Sequence, residues 1–431
     1  MLNKIFSILK SRSIISLFLR VLGMGFSYLF SLFVTHKCGA EGWGILSIIF
    51  TLTLFGSYIF KFGFDTALLK FAAENEAKNN RSLTFRTYIL GIRYILIIAI
   101  GISLLFWLLS GFIASHLFGK DNLTAYIPYV SLLIVPTIMT LIHSEGLRGL
   151  GKVYQYSLLQ NSSALGLSTC VLMFISLYCN DIDWTSTVLV VYSFTVMFLY
   201  IISQISWGRS VFQFRNMEDK VSVKRVADVA MPMFWSGVML IAIGWTDTLL
   251  LGIFSTEKDV GIYNVALRIC NLVIIGKLAL NSIVASQYAQ LYTLGNIHEL
   301  QLFARSTSKK ILITSVPVIL LIMLFPQFFL GLFGEEFKEG AIVLMILSAG
   351  QFINSACGTP DVILQMTGHE ALYKNIMIVA LLINLAVNLA LIPFFGITGS
   401  AIASFIGLSF WNIVSVIFVK KRLRINILCI V

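Results

Sequence analysis

The chain is built from continuous apolar runs of about twenty residues, and that length restricts its folding more than any other feature. At about 1.5 Å of helix rise per residue, such a run crosses a hydrocarbon core of about 30 Å. Lipid offers an open backbone no hydrogen-bond partner, so each run must be an α-helix or a strand of a closed barrel. Barrel strands would read as alternating segments of about ten residues. These runs are unbroken, and the sequence predicts an all-α integral membrane protein. About twelve are countable: 13–36, 43–62, 88–109, 123–142, 157–178, 185–205, 231–253, 261–283, 309–331, 340–362, 375–395 and 397–418. Of the 431 residues 58% are hydrophobic and 12% charged, where a soluble domain carries about a quarter charged.

The first run follows Lys4, Lys10 and Arg12 as a secretion signal would, but it continues to about Val34 without a small-residue cleavage site. It reads as a retained span. Basic residues in short loops stay cytoplasmic. One set of loops holds Lys70, Lys78, Arg81, Arg148, Lys152, Arg209, Arg215, Lys220, Arg305, Lys309 and Lys374, and both tails join it. The alternate loops carry most of the loop acids, among them Glu41, Asp121, Asp181, Glu257, Glu335 and Glu339. Both termini are therefore expected in the cytoplasm, which requires an even number of spans. The net charge of +11 is dispersed over loops on one membrane face, which speaks against a nucleic-acid partner. The six cysteines have no metal spacing, the five histidines scatter to span ends and loops, and no nucleophile with a base or phosphate-binding glycine loop stands out. No cofactor, metal site or catalytic residue is expected.

The chain also repeats once. In "KCGAEGWGILSI" and "STEKDVGIYNVALR", a short outward turn leads through Gly-Ile into an apolar run, and Gly44 and Gly261 lie 217 residues apart. Gly151 and Gly368, in the inward loops after the fourth and tenth runs, are again 217 apart, and the "LFG" of 117–119 recurs at 332–334. Six spans per half give both halves the same orientation, so they should be related by an axis along the membrane normal. The expected domains are 1–217 and 218–431, two parallel-related six-helix bundles around a central cavity, with the charged segment 206–228 as linker.

The stretches "GAEGWGILSIIF", "FGFDTALLKFAAE", "TDTLLLGIFSTEKDVGIYNVALRI" and "FFGITGSAIAS" resemble the polysaccharide-exporter branch of the multidrug/oligosaccharidyl-lipid/polysaccharide (MOP) flippase superfamily, most of all the Wzx-type O-antigen flippases. The resemblance implies a transporter of the bacterial inner membrane. Its substrate would be an undecaprenyl-pyrophosphate-linked oligosaccharide moved from the cytoplasmic to the periplasmic leaflet, with membrane lipids and other polysaccharide assembly proteins as further partners.

Ionisable residues at bilayer depth are costly and normally face a cavity or a partner. Arg268 lies about seven residues, or about 10 Å, inside its run, with Asn264 and Asn271 on the same face. This stripe would line the central cavity and attract a pyrophosphate, or Arg268 would pair with Asp247. Arg20 shares a face with Ser27 and Ser31 and would line the same cavity or snorkel to the inner headgroups. Arg93 and Lys277 lie nearer the inner surface, with the same two readings. Asp247 is about 24 Å into its run and is expected to be a coupling site, for a proton or for sodium, or an inter-helix pair.

The leading expectation is a lipid-linked oligosaccharide flippase working by alternating access. A cation-coupled multidrug antiporter of the same superfamily is the alternative, disfavoured because the embedded charges are mainly basic. A membrane polysaccharide polymerase or ligase would need larger outward loops than the chain has.

Overall fold

The computed structural model describes residues 2–78, 80–159, 161–179, 181–212 and 222–428, with side chains from Leu22 onward except at 161, 162, 236, 240, 243, 276, 278–283 and 286. Among the described residues there is no strand. The main helices are α1 (Leu2–Phe60), α2 (Phe64–Ala77), α3 (Arg81–Leu108), α4 (Ile127–Gly149), α5 (Asn161–Tyr178), α6 (Trp184–Val211), α7 (Val223–Phe254), α8 (Glu257–Cys270), α9 (Ile275–Thr293), α10 (Ile297–Leu324), α11 (Ala341–Cys357) and α12 (Glu370–Leu423). Most of the expected apolar runs fall on one of them, but the run 261–283 is divided between α8 and α9 by a 3₁₀ turn, Asn271–Ile274. Seven described helices are, by length and composition, able to cross a membrane singly. Two of these are double: α1 breaks at Gly39 (φ 67°) and α12 at Gly396 (φ 53°). Both breaks use a left-handed backbone that a Cβ would penalise.

Local chemistry sets several helix starts. The Asn80 side chain accepts the Leu83 N–H at 3.2 Å to open α3, and Asp183 accepts from Thr185 at 3.0 Å to open α6. Thr256 and Asp259 form a reciprocal capping box at the start of α8. Each uses a short polar side chain to satisfy backbone donors that have no partner in the first turn.

The chain forms two compact units: residues 1–38 with 45–241, and residues 39–44 with 242–431. The expected join at 217/218 lies outside the described residues; by compactness the chain divides between Ile241 and Ala242, inside α7.

In the first unit α4 is the central helix, packed by α2, α3 and α6. Its His143 is fully buried and ties three helices together. The Ser203 hydroxyl donates to the Tyr200 carbonyl at 2.8 Å, so it must accept from His143 Nδ1–H, 2.9 Å away. Nε2 then accepts from the Tyr88 hydroxyl at 2.8 Å, and Trp207 stacks on the ring. The network assigns the neutral tautomer. Where α1 meets α2 in the same unit, buried Lys61 and Asp65 form an ion pair at 2.5 Å.

In the second unit α11, the repeat counterpart of α4, is likewise central, packed by α10 and α12. After α12 the chain turns at Arg424 (φ 56°) and lays Ile425 and Ile427 into a core cluster with Tyr288, Leu300 and Ile363. The turn residues 39–44 belong to this unit. Ala40 donates its N–H to Glu336 Oε2 at 2.9 Å, and Gly44 and Gly261 let two helix backbones touch. A Cβ on Gly44 would stand 1.7 Å from the Glu257 carbonyl oxygen, and one on Gly261 would stand 2.0 Å from that of Ala40. The contact is reciprocal across the repeat, because 40 and 257 are 217 apart just as 44 and 261 are.

Candidate functional site

The second unit contains a carboxylate deep in an apolar span and enclosed by neutral polar groups. Asp247 comes from α7 and is 4% exposed. Its Oδ2 accepts from the Tyr263 hydroxyl of α8 at 2.8 Å and from the Ser404 hydroxyl of α12. Its Oδ1 accepts from the amides of Asn388 at 2.7 Å and Asn384 at 3.2 Å, both on α12. Asn384 and Asn388 are one helical turn apart, so both point to the same place. Ser404 reaches it because Gly396 folds the second segment of α12 back beside the first.

This site is unevenly satisfied. The amides give their N–H groups to the carboxylate, while Asn384 Oδ1 and Asn388 Oδ1 are buried with no hydrogen-bond partner among the described residues. A buried acceptor left unpaired costs about 1–3 kcal/mol. Turning both amides would present their oxygens alongside the carboxylate and two hydroxyls. One anionic and four neutral oxygens form the hard donor set that suits a monovalent metal cation. The residues present therefore fit such an ion, held by Asp247, Asn384, Asn388, Ser404 and Tyr263. A proton on Asp247 would neutralise the charge and could pair with one turned amide oxygen, leaving the other unpaired. Among the described residues no group of three or more His, Cys, Asp or Glu could hold a metal.

The other sequence-predicted residues do not gather here. The expected pairing of Arg268 with Asp247 is not what forms: all four partners of Asp247 are neutral. The Arg268 guanidinium instead lies over the Trp43 ring, 5.2 Å from its centroid. An ion pair would have to pull the guanidinium across α8, away from an aromatic face that already stabilises it. Asn264 accepts from Thr248 at 3.3 Å and donates to the Val260 carbonyl, and Asn271 is exposed at the start of a 3₁₀ turn, Asn271–Ile274. Ser31 is buried and donates to the Ser27 carbonyl at 2.7 Å. Arg20 lies outside the residues whose side chains are described. Arg93 is exposed. Lys277 is buried and donates to Asn354 Oδ1 at 2.6 Å. In the first turn of α8, Lys258 donates to Glu339 at 2.8 Å, and that hydrogen bond holds its pKa above the ordinary lysine value.

Sequence reasoning missed Tyr263, Asn384, Asn388, Ser404 and Trp43. Two amides four residues apart inside "LLINLAVNLALI" were a usable signal, because such groups are rare in a span unless they have a partner.

A family model described as "Polysaccharide biosynthesis protein" matches residues 9–287, and a MatE model matches 232–390. A probable low-salt glycan biosynthesis flippase, Agl15 of Haloferax volcanii, is 26% identical over 161 residues, which cover 37% of this chain and 34% of that protein. The matched stretch thus spans about a third of that relative's length. Among solved structures, an inward-facing multidrug resistance MATE family transporter of the MOP superfamily aligns with a TM-score of 0.76 at 16% identity, over 93% of this chain and 94% of that one. The lipid II flippase MurJ in an inward closed conformation aligns with a TM-score of 0.70 at 14% identity, over 95% and 87%. At such identities these two show a shared fold. The first family model covers well over half of the sequence, and the chain belongs to the polysaccharide biosynthesis protein family of the MOP flippase superfamily.

Proposed function

We propose that this protein is a cation-coupled flippase that carries an undecaprenyl-pyrophosphate-linked oligosaccharide, an O-antigen or similar repeat unit, from the cytoplasmic to the periplasmic leaflet of a bacterial inner membrane. It works by alternating access of two six-helix lobes. It is a transporter rather than an enzyme. The observation that carries the coupling is the Asp247 site: a lone carboxylate buried in a membrane span, held by two hydroxyls and two amide N–H groups whose oxygens have no partner among the described residues. A monovalent metal cation such as sodium, when bound, supplies the positive charge that makes this anion tolerable in the span.

The substrate class draws support from the description of the matched family, from the glycan flippase that is a partial relative, and from the lipid II flippase of like fold. A diphosphate crossing about 30 Å of hydrocarbon needs cations to offset its charge. Arg20 and Arg268 are the proposed partners, beside Ser27, Ser31, Asn264 and Asn271. Stacking on Trp43 engages the face of the Arg268 guanidinium, whose N–H donors lie in the plane.

Replacing Arg20 or Arg268 by Ala should lower surface glycan about tenfold at equal expression, the value of one charge-assisted hydrogen bond, and Lys should restore part of it. Normal surface glycan in both Ala variants would remove the arginines from the substrate path. The MatE match and the MATE structural neighbour favour a second reading, a cation-coupled multidrug antiporter. Drug susceptibility of a deletion strain separates the two, since a glycan flippase leaves it unchanged.

A further inference from the structure

We propose that Tyr263 transmits the occupancy of the Asp247 site to the turn Gly39–Gly44, with the short helix α8 as the lever. The proposal rests on reading Asp247 as a cation site and adds a route by which binding moves the protein.

Helix α8 is bounded at both ends. It begins at the Thr256 capping box and ends in the 3₁₀ turn Asn271–Ile274, which separates it from α9. A 3₁₀ stretch between two helical segments is a common hinge. At about 100° per residue, Gly261 and Arg268 share one face of α8, and Tyr263 lies about 140–160° away on the other. The first face carries the turn: the Gly44 and Gly261 backbones touch, and the Trp43 ring receives Arg268. The second face carries the site: the fully buried Tyr263 hydroxyl lies 2.8 Å from Asp247 Oδ2 and 3.2 Å from Ser404 Oγ.

A cation on Asp247 sets positive charge beside the Tyr263 hydroxyl proton. The hydroxyl must then turn a lone pair towards the ion or withdraw, and either response breaks the hydrogen bond to Asp247 Oδ2 that anchors α8 and frees the tyrosine to move. On the opposite face no side chain lies between the backbones to absorb the shift, so close packing passes it to residues 40–44. Trp43, 2% exposed, moves with them and is a built-in reporter.

The test uses the full-length protein in lipid nanodiscs, titrated with sodium chloride against N-methylglucamine chloride at constant ionic strength. Thermal unfolding reads binding. The part of the tryptophan emission that disappears in Trp43→Phe reads the turn. In the wild-type protein, sodium should raise the unfolding midpoint and change the Trp43 emission together. Tyr263→Phe removes one of the five groups that hold the ion and should weaken sodium binding by up to about tenfold, the worth of one neutral hydrogen bond; at saturating sodium it should still be stabilised but lose the Trp43 change. Ser404→Ala removes a hydroxyl that belongs to α12 and leaves the Tyr263–Asp247 hydrogen bond in place; it should keep the Trp43 change at saturating sodium and guards against a Tyr263 variant that fails to fold. A full Trp43 response in Tyr263→Phe, its loss in Ser404→Ala, or wild-type binding with a silent Trp43 overturns the transmission route. Absence of sodium stabilisation in both wild type and Asp247→Asn overturns the cation-site reading itself, and the route with it.

Discussion

At the scale of single residues, a charge in a span is tolerated only with partners, and Asp247 has four, none of them charged. Asp247→Asn keeps the shape and removes the anion. The account expects this variant to fold, to lose stabilisation by sodium in thermal unfolding, and to transport at most about a tenth as fast, since a lost ionic ligand is worth more than 1.4 kcal/mol. Asn388→Asp adds a second carboxylate. Because charge count sets the preference of oxygen sites, that variant should shift from stabilisation by sodium towards stabilisation by calcium in the same assay. The sequence exposed Asp247 as a residue needing an explanation, but not which one. Its expected partner, Arg268, lies near it along the chain, yet Tyr263 occupies the α8 face towards Asp247 and Arg268 the face towards Trp43. The ligands that complete the site come from about 140–160 residues away on α12, and no local spacing carries such a contact. Lys277, which meets Asn354, illustrates the same limit: the neighbour a side chain meets is a tertiary fact.

At the scale of elements, most of the apolar runs were legible, because lipid forces each to close its own hydrogen bonds, whereas the 3₁₀ turn that divides 261–283 was not. The repeat was legible too, and the structure gives its strongest signal a physical cause. Gly44 and Gly261 correspond in sequence and touch in space, each occupying the place where any side chain would strike the other helix. Gly44→Ala and Gly261→Ala should therefore each destabilise the protein by about 1–3 kcal/mol or more, as overpacking does. The double variant should cost less than the two together, since one separation of the helices relieves both clashes. Thermal unfolding in detergent reads all three. Full additivity would mean that the two glycines do not share a crossing. Less legible was the membership of residues 39–44: the apolar pattern ties them to the first two spans, while Glu336, Gly261 and Arg268 place them in the second unit.

At the scale of the whole molecule, the chain belongs to a polysaccharide biosynthesis protein family and shares its fold with membrane transporters, and the proposed work is to exchange cation binding for movement of an anionic lipid-linked glycan. Two separate sets of residues are assigned to these tasks: the oxygens around Asp247 to the cation, Arg20 and Arg268 to the diphosphate. Variants of the arginines should therefore weaken glycan export while leaving sodium stabilisation intact, and a loss of both together would argue against the separation. The most direct measurement is flipping of a fluorescent undecaprenyl-pyrophosphate-linked oligosaccharide in proteoliposomes with an imposed sodium gradient. The account predicts gradient-dependent flipping by the wild-type protein that collapses to the protein-free rate in Asp247→Asn; equal rates in the two proteins, or no dependence on the gradient, would contradict it.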